Sequence, residues 1–183
     1  QLDYPLAAPS ANISTKVSAV NAKDVKEEFG DRIKYILDGG KCSIGIESTI
    51  INLVGKPKIL RLGGLDISKI EKIMKKKIKV NLNPKKKIMP GQSRIHYSPG
   101  IPLKMNVIKA KENEAFVLIK KRKVNSKNYY YLSKKNNLDE AAKNLYTCLR
   151  EIKNKGYTSI AVEKIPNKGL GKAINDRLNR ASK

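Results

Sequence analysis

The feature that most constrains this chain is a break in its hydrophobic pattern between residues 81 and 103. The stretch NLNPKKKIMPGQSRIHYSPGIP contains four prolines and two glycines, and it shows neither helical nor strand periodicity. Proline removes a backbone donor and glycine favours turns, so a regular element is not expected to run through it. A structureless stretch this long inside a compact protein is usually functional or disordered. We therefore expect a linker over 81–103 between two folded parts, 1–80 and 104–183.

The part after the linker is predicted to be a small α/β unit. Three β-branched or aromatic runs, EAFVLIK, NYYYLS and TSIAVEKI, are typical of strands. An apolar stripe at helical spacing runs from Leu138 to Ile152 before a stop at Gly156, and GLGKAINDRLNRA predicts a final helix. Strands that alternate with helices favour a parallel or mixed sheet flanked by helices.

The part before the linker mixes helices and strands, with glycine and proline marking the turns between them. The run STIINLV is apolar and β-branched, so it predicts a buried strand. The expected elements are a helix from a cap at Asp24 to a stop at Gly30, strands over 33–37, 48–54 and 57–62, the last two joined as a hairpin, and a helix over 66–77 capped by Asp66 or Ser68.

The basic composition is compatible with a phosphate-bearing partner but does not establish one. Lys and Arg number 39 against 16 Asp and Glu, which gives a net charge of +23. Such an excess suits a nucleotide or RNA. It is mostly lysine among many asparagines and isoleucines, which is also the bias of an AT-rich genome. Both interpretations stay open, and the lysine runs at 75–77 and 85–87 are interpreted as solvated faces.

Cysteine usage and hydropathy indicate the compartment. Cys42 and Cys148 lie far apart and lack metal-ligand spacing, and a secreted chain would usually carry more cysteines. No apolar run approaches the roughly 18–20 residues that a membrane helix needs. We therefore expect a cytoplasmic protein with no membrane partner and no protein-held metal.

The loop PLAAPSANIS, at residues 5–14, is the first candidate binding segment. Ser10, Asn12 and Ser14 offer hydroxyl and amide groups, and the small alanines leave room beside them. Such residues in turns usually satisfy local backbone groups. The loop alone therefore favours a structural turn.

Two further motifs carry polar groups next to predicted strands, and a third lies in the linker. In GIESTI, Glu47, Ser48 and Thr49 either grip a polar amino-acid substrate or cap the entry to the strand. Arg61 ends the strand KILR, where its donor fork suits a nucleotide phosphate or simply meets solvent. HYSP holds the only histidine, His96, in a position more typical of a surface residue than of a catalyst.

Taken in order, PLAAPSANIS, ILDGG, GIESTI, ILRLGGL, PGQSRIHYSP and GLGKAINDRLNRA resemble the threonylcarbamoyl-AMP synthases. The resemblance covers residues 5–181. It implies an α/β chain made of the C-terminal half of a YrdC-like twisted α/β domain (1–80), an extended linker with the HYSP motif (81–103) and a small Rossmann-like α/β domain (104–183). The chain departs from the family at Thr15, where glycine is usual, and at residues 18–20, where Ser-Pro-Thr is usual.

The resemblance implies a ligase-like reaction. Threonine and bicarbonate give N-carboxy-threonine, whose carboxylate attacks the α-phosphorus of ATP, so that pyrophosphate leaves and threonylcarbamoyl-AMP forms. The product serves threonylcarbamoyladenosine modification of tRNA, which makes tRNA and the downstream transfer machinery expected partners. Mg²⁺ is expected with ATP, held mostly by phosphates and water.

The resemblance also implies roles for individual residues. Linker residues around Tyr97 would lie over the pocket and shield the reactive intermediate from water. The implied assignments are catalysis by Arg61, ATP contacts by Ser10, Ser18, Arg61 and Tyr97, threonine contacts by Ala8 and Ser48, and support by Asn12, Glu47, Thr49 and His96.

The family's YrdC domain begins with a Lys- and Arg-rich segment that nothing before Gln1 supplies, so we expect these 183 residues to be inactive alone.

Two alternative functions also fit the sequence. A non-catalytic module that binds RNA or tRNA through a basic YrdC-like surface is the alternative function. A carbamoyltransferase relative is a weaker option, because the HYSP linker and the C-terminal unit argue against it.

Overall fold

The computed structural model describes residues 3–8, 10–84, 89–93 and 95–183. Residues 75–77 are exposed, as expected of a solvated lysine face, whereas the second lysine run at 85–87 lies outside the described residues. The elements, in chain order, are α1 (Ala22–Phe29), a 3-10 turn (Gly30–Arg32), β1 (Ile50–Asn52), β2 (Lys58–Arg61), α2 (Ile67–Met74), β3 (Lys79–Val80), β4 (Leu103–Lys104), β5 (Glu114–Lys120), β6 (Tyr129–Ser133), α3 (Leu138–Lys153), β7 (Ser159–Val162) and α4 (Gly171–Ala181).

The C-terminal unit is a four-stranded parallel sheet in the order β4-β7-β5-β6, which confirms the predicted sheet type. Strand β5 is buried along nearly its whole length, as an uninterrupted apolar run in a central parallel strand should be. Helix α3 is capped by Asn137, whose side chain accepts from the Asp139 and Glu140 amides. The short edge strand β4, at the end of the predicted linker, was not expected.

The first unit contains a three-stranded sheet in the order β1-β2-β3. Strands β1 and β2 pair antiparallel, as the predicted hairpin requires, and β3 adds in parallel to β2. Strand β1 is shorter and less buried than predicted, since its three residues are half-buried and Leu53 and Val54 are exposed. Asp66 caps α2 by accepting from the Ser68 amide, which agrees with the prediction.

Two local predictions for the first unit are wrong. Residues 33–37 form no strand, because no described strand pairs with them, and Tyr35 and Leu37 are 87% and 98% exposed. The cap of α1 is Asn21, whose side chain accepts from the Asp24 amide, while the Asp24 carboxylate turns back to accept from the Val20 amide. Asp24 therefore completes the cap from inside the first turn.

A hydrophobic core connects the two units. One buried cluster includes Val17 and Ile59 of the first unit, Tyr97 of the linker, and Leu145 and Ile174 of the C-terminal unit. The linker reaches this core by passing beside the opening loop, where the Ser98 amide donates to the Thr15 carbonyl at 2.8 Å. The domain limits of 1–80, 81–103 and 104–183 stay a prediction. Within the described residues, no helix is both long and apolar enough to cross a bilayer.

Candidate functional site

The Glu47 carboxylate is the centre of a buried hydrogen-bond network. It accepts from the Ser18 hydroxyl at 2.6 Å and from the Tyr146 hydroxyl at 2.9 and 3.0 Å. Arg177 of α4 donates to the same carboxylate through Nε at 3.2 Å and through Nη2 at 3.1 Å. Burial alone would raise the pKa of Glu47, but the Arg177 charge and the Ser18 hydrogen bond lower it below its usual range. Glu47 is therefore an ionised structural acceptor, fully engaged by the protein.

Ser48, the next residue, is bound to Arg61 in two places. Arg61 Nε donates to the Ser48 carbonyl at 3.0 Å, and Nη2 donates to Ser48 Oγ at 3.0 Å. Because Ser48 Oγ accepts from Arg61, its own hydroxyl proton can be donated to a ligand. The fixed guanidinium keeps further N–H donors for an anion.

Gly63, two residues after the end of β2, explains how the polypeptide reaches this geometry. A Cβ at Gly63 would collide with the backbone of Glu47, Ser48 and Thr49, so only glycine lets the two segments approach. The Gly64 amide then donates to the Glu47 carbonyl at 2.9 Å. The motif ILRLGGL thus places Arg61 and GIESTI side by side through backbone contact.

Tyr97 lies behind this pair and joins the linker to the C-terminal unit. It is 1% exposed, stacks on Tyr146 at 5.7 Å between ring centroids, and lies under the Arg177 guanidinium at 5.4 Å. His96 packs against it at 4.1 Å and is not the surface residue that its loop position favours. Burial lowers the pKa of His96, so its ring is neutral at pH 7.

The opening loop forms another side of the site. Ser10 and Ser18 line a cavity of about 370 Å³ together with Glu47 and Tyr146. The Asn12 side chain is used within its own turn, where its amide donates to the carbonyls of Ile13 and Lys16 rather than to the cavity that Ser10 and Ser18 line. These bonds give the loop a defined path.

The remaining predicted residues lie at the margin. Ala8 is exposed, and the Thr49 hydroxyl donates to the Leu65 carbonyl at 2.6 Å, which holds the approach to α2. Gly171 in GLGKA packs against the Pro166 carbonyl without room for a Cβ. The structure thus brings Ser18, Glu47, Ser48, Arg61, Tyr97 and His96 together, places Ser10 on the adjoining cavity, and leaves Ala8, Asn12 and Thr49 outside this cluster.

A larger cavity of about 770 Å³ lies elsewhere, between α4 and the segment that includes β3. Its polar lining includes Asn83, Asn167, Lys172 and Asn179. None of the predicted ATP or threonine residues lines it. The candidate substrate-binding residues therefore lie at the smaller cavity and at the Ser48–Arg61 pair.

Thr15 carries a backbone conformation that suits glycine. Its φ is +74°, in the left-handed region that β-branched residues rarely adopt. We expect Thr15→Gly to raise the free energy of unfolding by about 1 kcal/mol, because it relieves this strain. Urea unfolding of both proteins measures the change. A lower unfolding free energy in Thr15→Gly would show that the threonine side chain contributes more than the strain removes.

Gly91 brings the linker close to Arg61. Its φ is +86°, and a Cβ there would lie 2.9 Å from the Tyr97 hydroxyl oxygen and 3.2 Å from Arg61 Cδ. We expect Gly91→Ala to destabilise the fold by about 1–2 kcal/mol and to loosen the linker beside Arg61. Limited proteolysis of the linker together with urea unfolding measures both effects. Gly100→Ala is the control, because Gly100 has a similar φ of +84° but a Cβ there would meet only Lys153 Cε, at an ordinary contact distance of 3.8 Å. Equal proteolysis in the two variants would contradict the role of Gly91 in holding the linker beside Arg61.

Sequence interpretation missed Arg177 and Tyr146, the two C-terminal residues that bind Glu47. A signal for Arg177 was present, because it shares one helical face with Ala173 and Ala181, both buried. A charge on an apolar helix face usually has a buried partner. The partner itself, Glu47, lies 130 positions earlier in the chain and cannot be predicted from the residues around Arg177.

Comparison with known proteins places the chain in a family. A family model described as the threonylcarbamoyl-AMP synthase C-terminal domain matches residues 65–183, and a Sua5/YciO/YrdC model described as telomere recombination matches residues 1–63. The threonylcarbamoyl-AMP synthases of Pyrococcus abyssi and Bacillus subtilis are 34% and 31% identical to the chain over 98% and 97% of its length. The chain covers 58% and 57% of those two proteins. It therefore spans little more than half the length of these curated relatives.

A solved structure gives the same result for the fold. The crystal structure of P. abyssi Sua5 complexed with L-threonine superposes with a TM-score of 0.81 at 32% sequence identity, covering 95% of this chain and 56% of that chain. The predicted α/β fold class is thereby confirmed. With a family model over 65–183 and relatives above 30% identity along nearly its whole length, the chain belongs to the threonylcarbamoyl-AMP synthase family.

Proposed function

We propose that this chain forms part of an enzyme that makes threonylcarbamoyl-AMP from L-threonine, bicarbonate and ATP, with release of pyrophosphate. The observation that carries the proposal is the Ser48–Arg61 pair, joined by two hydrogen bonds of 3.0 Å. It sets a hydroxyl donor beside a guanidinium, as recognition of a carboxylate next to a phosphate requires. The family membership and the structural likeness to a protein complexed with L-threonine support it.

In the reaction, the carboxylate oxygen of N-carboxy-threonine forms a bond to the α-phosphorus as the bond from that phosphorus to pyrophosphate breaks. Negative charge shifts onto the phosphoryl oxygens, so the largest contribution comes from fixed positive groups and donors. Arg61 supplies these donors with its orientation set by Ser48. Nucleophilic catalysis by a side chain is not needed.

The other residues contribute binding and shielding. We assign Ser10, Ser18 and Tyr97 to the ATP side, Ala8 and Ser48 to threonine, and Asn12, Glu47, Thr49 and His96 to support. Tyr97 is buried beside Arg61, which suits a residue that limits the access of water to the intermediate.

The site residues of this chain do not fit a protein-held Mg²⁺. Glu47 is the carboxylate of the cluster, and its oxygens already accept from Ser18, Tyr146 and Arg177. Magnesium that accompanies ATP would be held by phosphates and water. No step proposed here depends on the ion.

The direct test uses the complete protein in which these 183 residues occur. Pyrophosphate release from ATP is measured with and without L-threonine, in the presence of bicarbonate. We expect release to require threonine, with L-valine, which has a methyl group in place of the hydroxyl, as the matched control. Release that is independent of the amino acid would contradict the proposed function.

The product is expected to pass to enzymes that modify tRNA, and we place the protein in the cytoplasm. The unpaired state of Cys42 and Cys148 is compatible with a reducing compartment.

RNA binding without catalysis is the second candidate, favoured by one surface feature. Four lysines, at positions 72, 75, 76 and 77, line a shallow pocket at the end of α2, with Glu71 paired to the last of them. If this surface binds tRNA, the association constant will fall steeply as salt rises. Fluorescence titration at several salt concentrations measures the slope, and a flat dependence would exclude phosphate-driven binding.

A further inference from the structure

Arg177 is the most enclosed charged side chain of the candidate site. Its side chain is fully buried, and that of Glu47 is 16% exposed. Nε and Nη2 both donate to Glu47 Oε2, while Nη1 donates to Asp176 Oδ2 at 3.2 Å. All three guanidinium nitrogens are thus committed to carboxylates. A lysine ammonium cannot reproduce this planar arrangement.

Arg177 also contacts the linker. Its guanidinium lies over the Tyr97 ring, and Tyr97 stacks on Tyr146, whose hydroxyl donates to Glu47. One side chain of α4 therefore touches both the GIESTI segment and the linker. These are the two segments that flank Arg61.

The path from Arg177 to the proposed substrate contacts is short. Glu47 immediately precedes Ser48, and Ser48 accepts from Arg61. On the other side, Glu47 accepts from Ser18, a residue of the proposed ATP contacts. A displacement of Glu47 would therefore move groups assigned to both substrates.

We propose that Arg177 is a positioning residue through which helix α4 of the C-terminal unit sets the geometry of Ser48 and Arg61. This inference rests on the proposed function, because it explains how that site is held. It gives the C-terminal unit a defined part in a reaction whose groups lie on the first unit and the linker. Arg177 itself does not contact the reacting atoms.

The test is Arg177→Lys in the complete protein, which keeps the charge and removes the fork. We expect the KM for L-threonine to rise at least tenfold and kcat to fall as well, because displacement of Ser48 also changes the orientation of the Arg61 guanidinium that Ser48 holds. The control is Leu118→Ala in β5, a fully buried residue that packs with Phe116 and Ala161 in a separate cluster. It destabilises the C-terminal unit without touching Glu47. An equal rise in KM in this control would reduce Arg177 to a general stability role and overturn the proposal.

Hydrogen exchange gives a readout that does not depend on activity. Arg177→Lys should speed amide exchange at residues 46–49 at least tenfold, and Leu118→Ala should leave these amides within twofold of wild type. Unchanged exchange at 46–49 in Arg177→Lys would overturn the proposal even if activity falls. If Arg177→Lys does not fold, Glu47→Gln provides the same two measurements with the same expected outcomes, because it weakens the pair from the other side.

The two proposals fail in distinguishable ways. A wild-type protein that releases no threonine-dependent pyrophosphate contradicts the proposed function, and the exchange measurement then decides alone whether Arg177 holds the GIESTI segment. An active wild type whose Arg177→Lys variant keeps its threonine KM contradicts only the positioning role.

Discussion

Replacing Arg61 with alanine will lower threonine-dependent pyrophosphate release by about 10²–10³-fold, the range found when one fixed donor to a developing charge is removed. The guanidinium is held by Ser48 through two hydrogen bonds, so in the proposed reaction it would meet the phosphoryl group without reorganising. The loss should fall mainly on kcat, because charge on the phosphoryl oxygens grows in the transition state. Steady-state kinetics in the complete protein measures it.

The matched control for Arg61→Ala is Arg32→Ala. Arg32 also donates to backbone carbonyls, those of Glu28 and Phe29, but it does so on the surface at the end of α1. Activity in Arg32→Ala should stay within twofold of wild type. If Arg61→Ala also stays within twofold, Arg61 has no place in the site.

Replacing Arg177 with methionine will lower the free energy of unfolding by about 3–5 kcal/mol. Removing one partner of a buried ion pair leaves the other charge desolvated and unpaired, and this penalty is larger than the attraction lost. Here the stranded group would be Glu47, which keeps only the Ser18 and Tyr146 hydroxyls. Urea unfolding at pH 7 measures the change.

The control for Arg177→Met is Arg122→Met. Arg122 donates to Glu163 at 3.0 Å, but its side chain is 41% exposed, so the change should be about 1 kcal/mol or less. Similar losses in the two variants would contradict the view that burial of the Glu47–Arg177 pair matters.

The same pair predicts how stability depends on pH. Because the pKa of Glu47 is lowered on folding, its ion pair stabilises the native state above the ordinary pKa of 4.5, and this contribution is lost as the pH falls through the lowered value. The difference in unfolding free energy between wild type and Arg177→Met should therefore narrow as the pH falls below 4.5. A difference that is the same at pH 7 and pH 3 would show that Glu47 is not the group involved.

The C-terminal unit was the part of the fold most accessible from sequence. EAFVLIK and TSIAVEKI are short apolar runs, and the α3 stripe repeats at helical spacing, so local pattern and tertiary burial agree. The first unit was less accessible. Residues 33–37 have strand composition, but a strand needs a partner, and no single run of sequence states whether one is adjacent.

The site shows a similar division. Ser48, Arg61 and Tyr97 were grouped through the order of the motifs. In the structure, hydrogen bonds join Ser48 to Arg61, and Tyr97 contacts Tyr146 and Arg177, which both bind Glu47. For Glu47 the sequence left open a grip on substrate, a cap at the strand entry or support of the site. Its oxygens accept from protein donors, which favours support over a direct grip on substrate. Helical periodicity shows on which face of α4 Arg177 lies. It does not show that Glu47 is the partner, because that contact depends on how α4 packs against the first unit.

Incorporation of labelled bicarbonate distinguishes the synthesis of threonylcarbamoyl-AMP from other routes to pyrophosphate. The complete protein is incubated with ¹⁴C-bicarbonate, L-threonine and ATP, and the nucleotides are separated by chromatography. We expect a labelled AMP adduct that forms only when threonine is present, and that falls with Arg61→Ala but not with Arg32→Ala. Pyrophosphate release without any labelled nucleotide would contradict the synthesis of threonylcarbamoyl-AMP at this site.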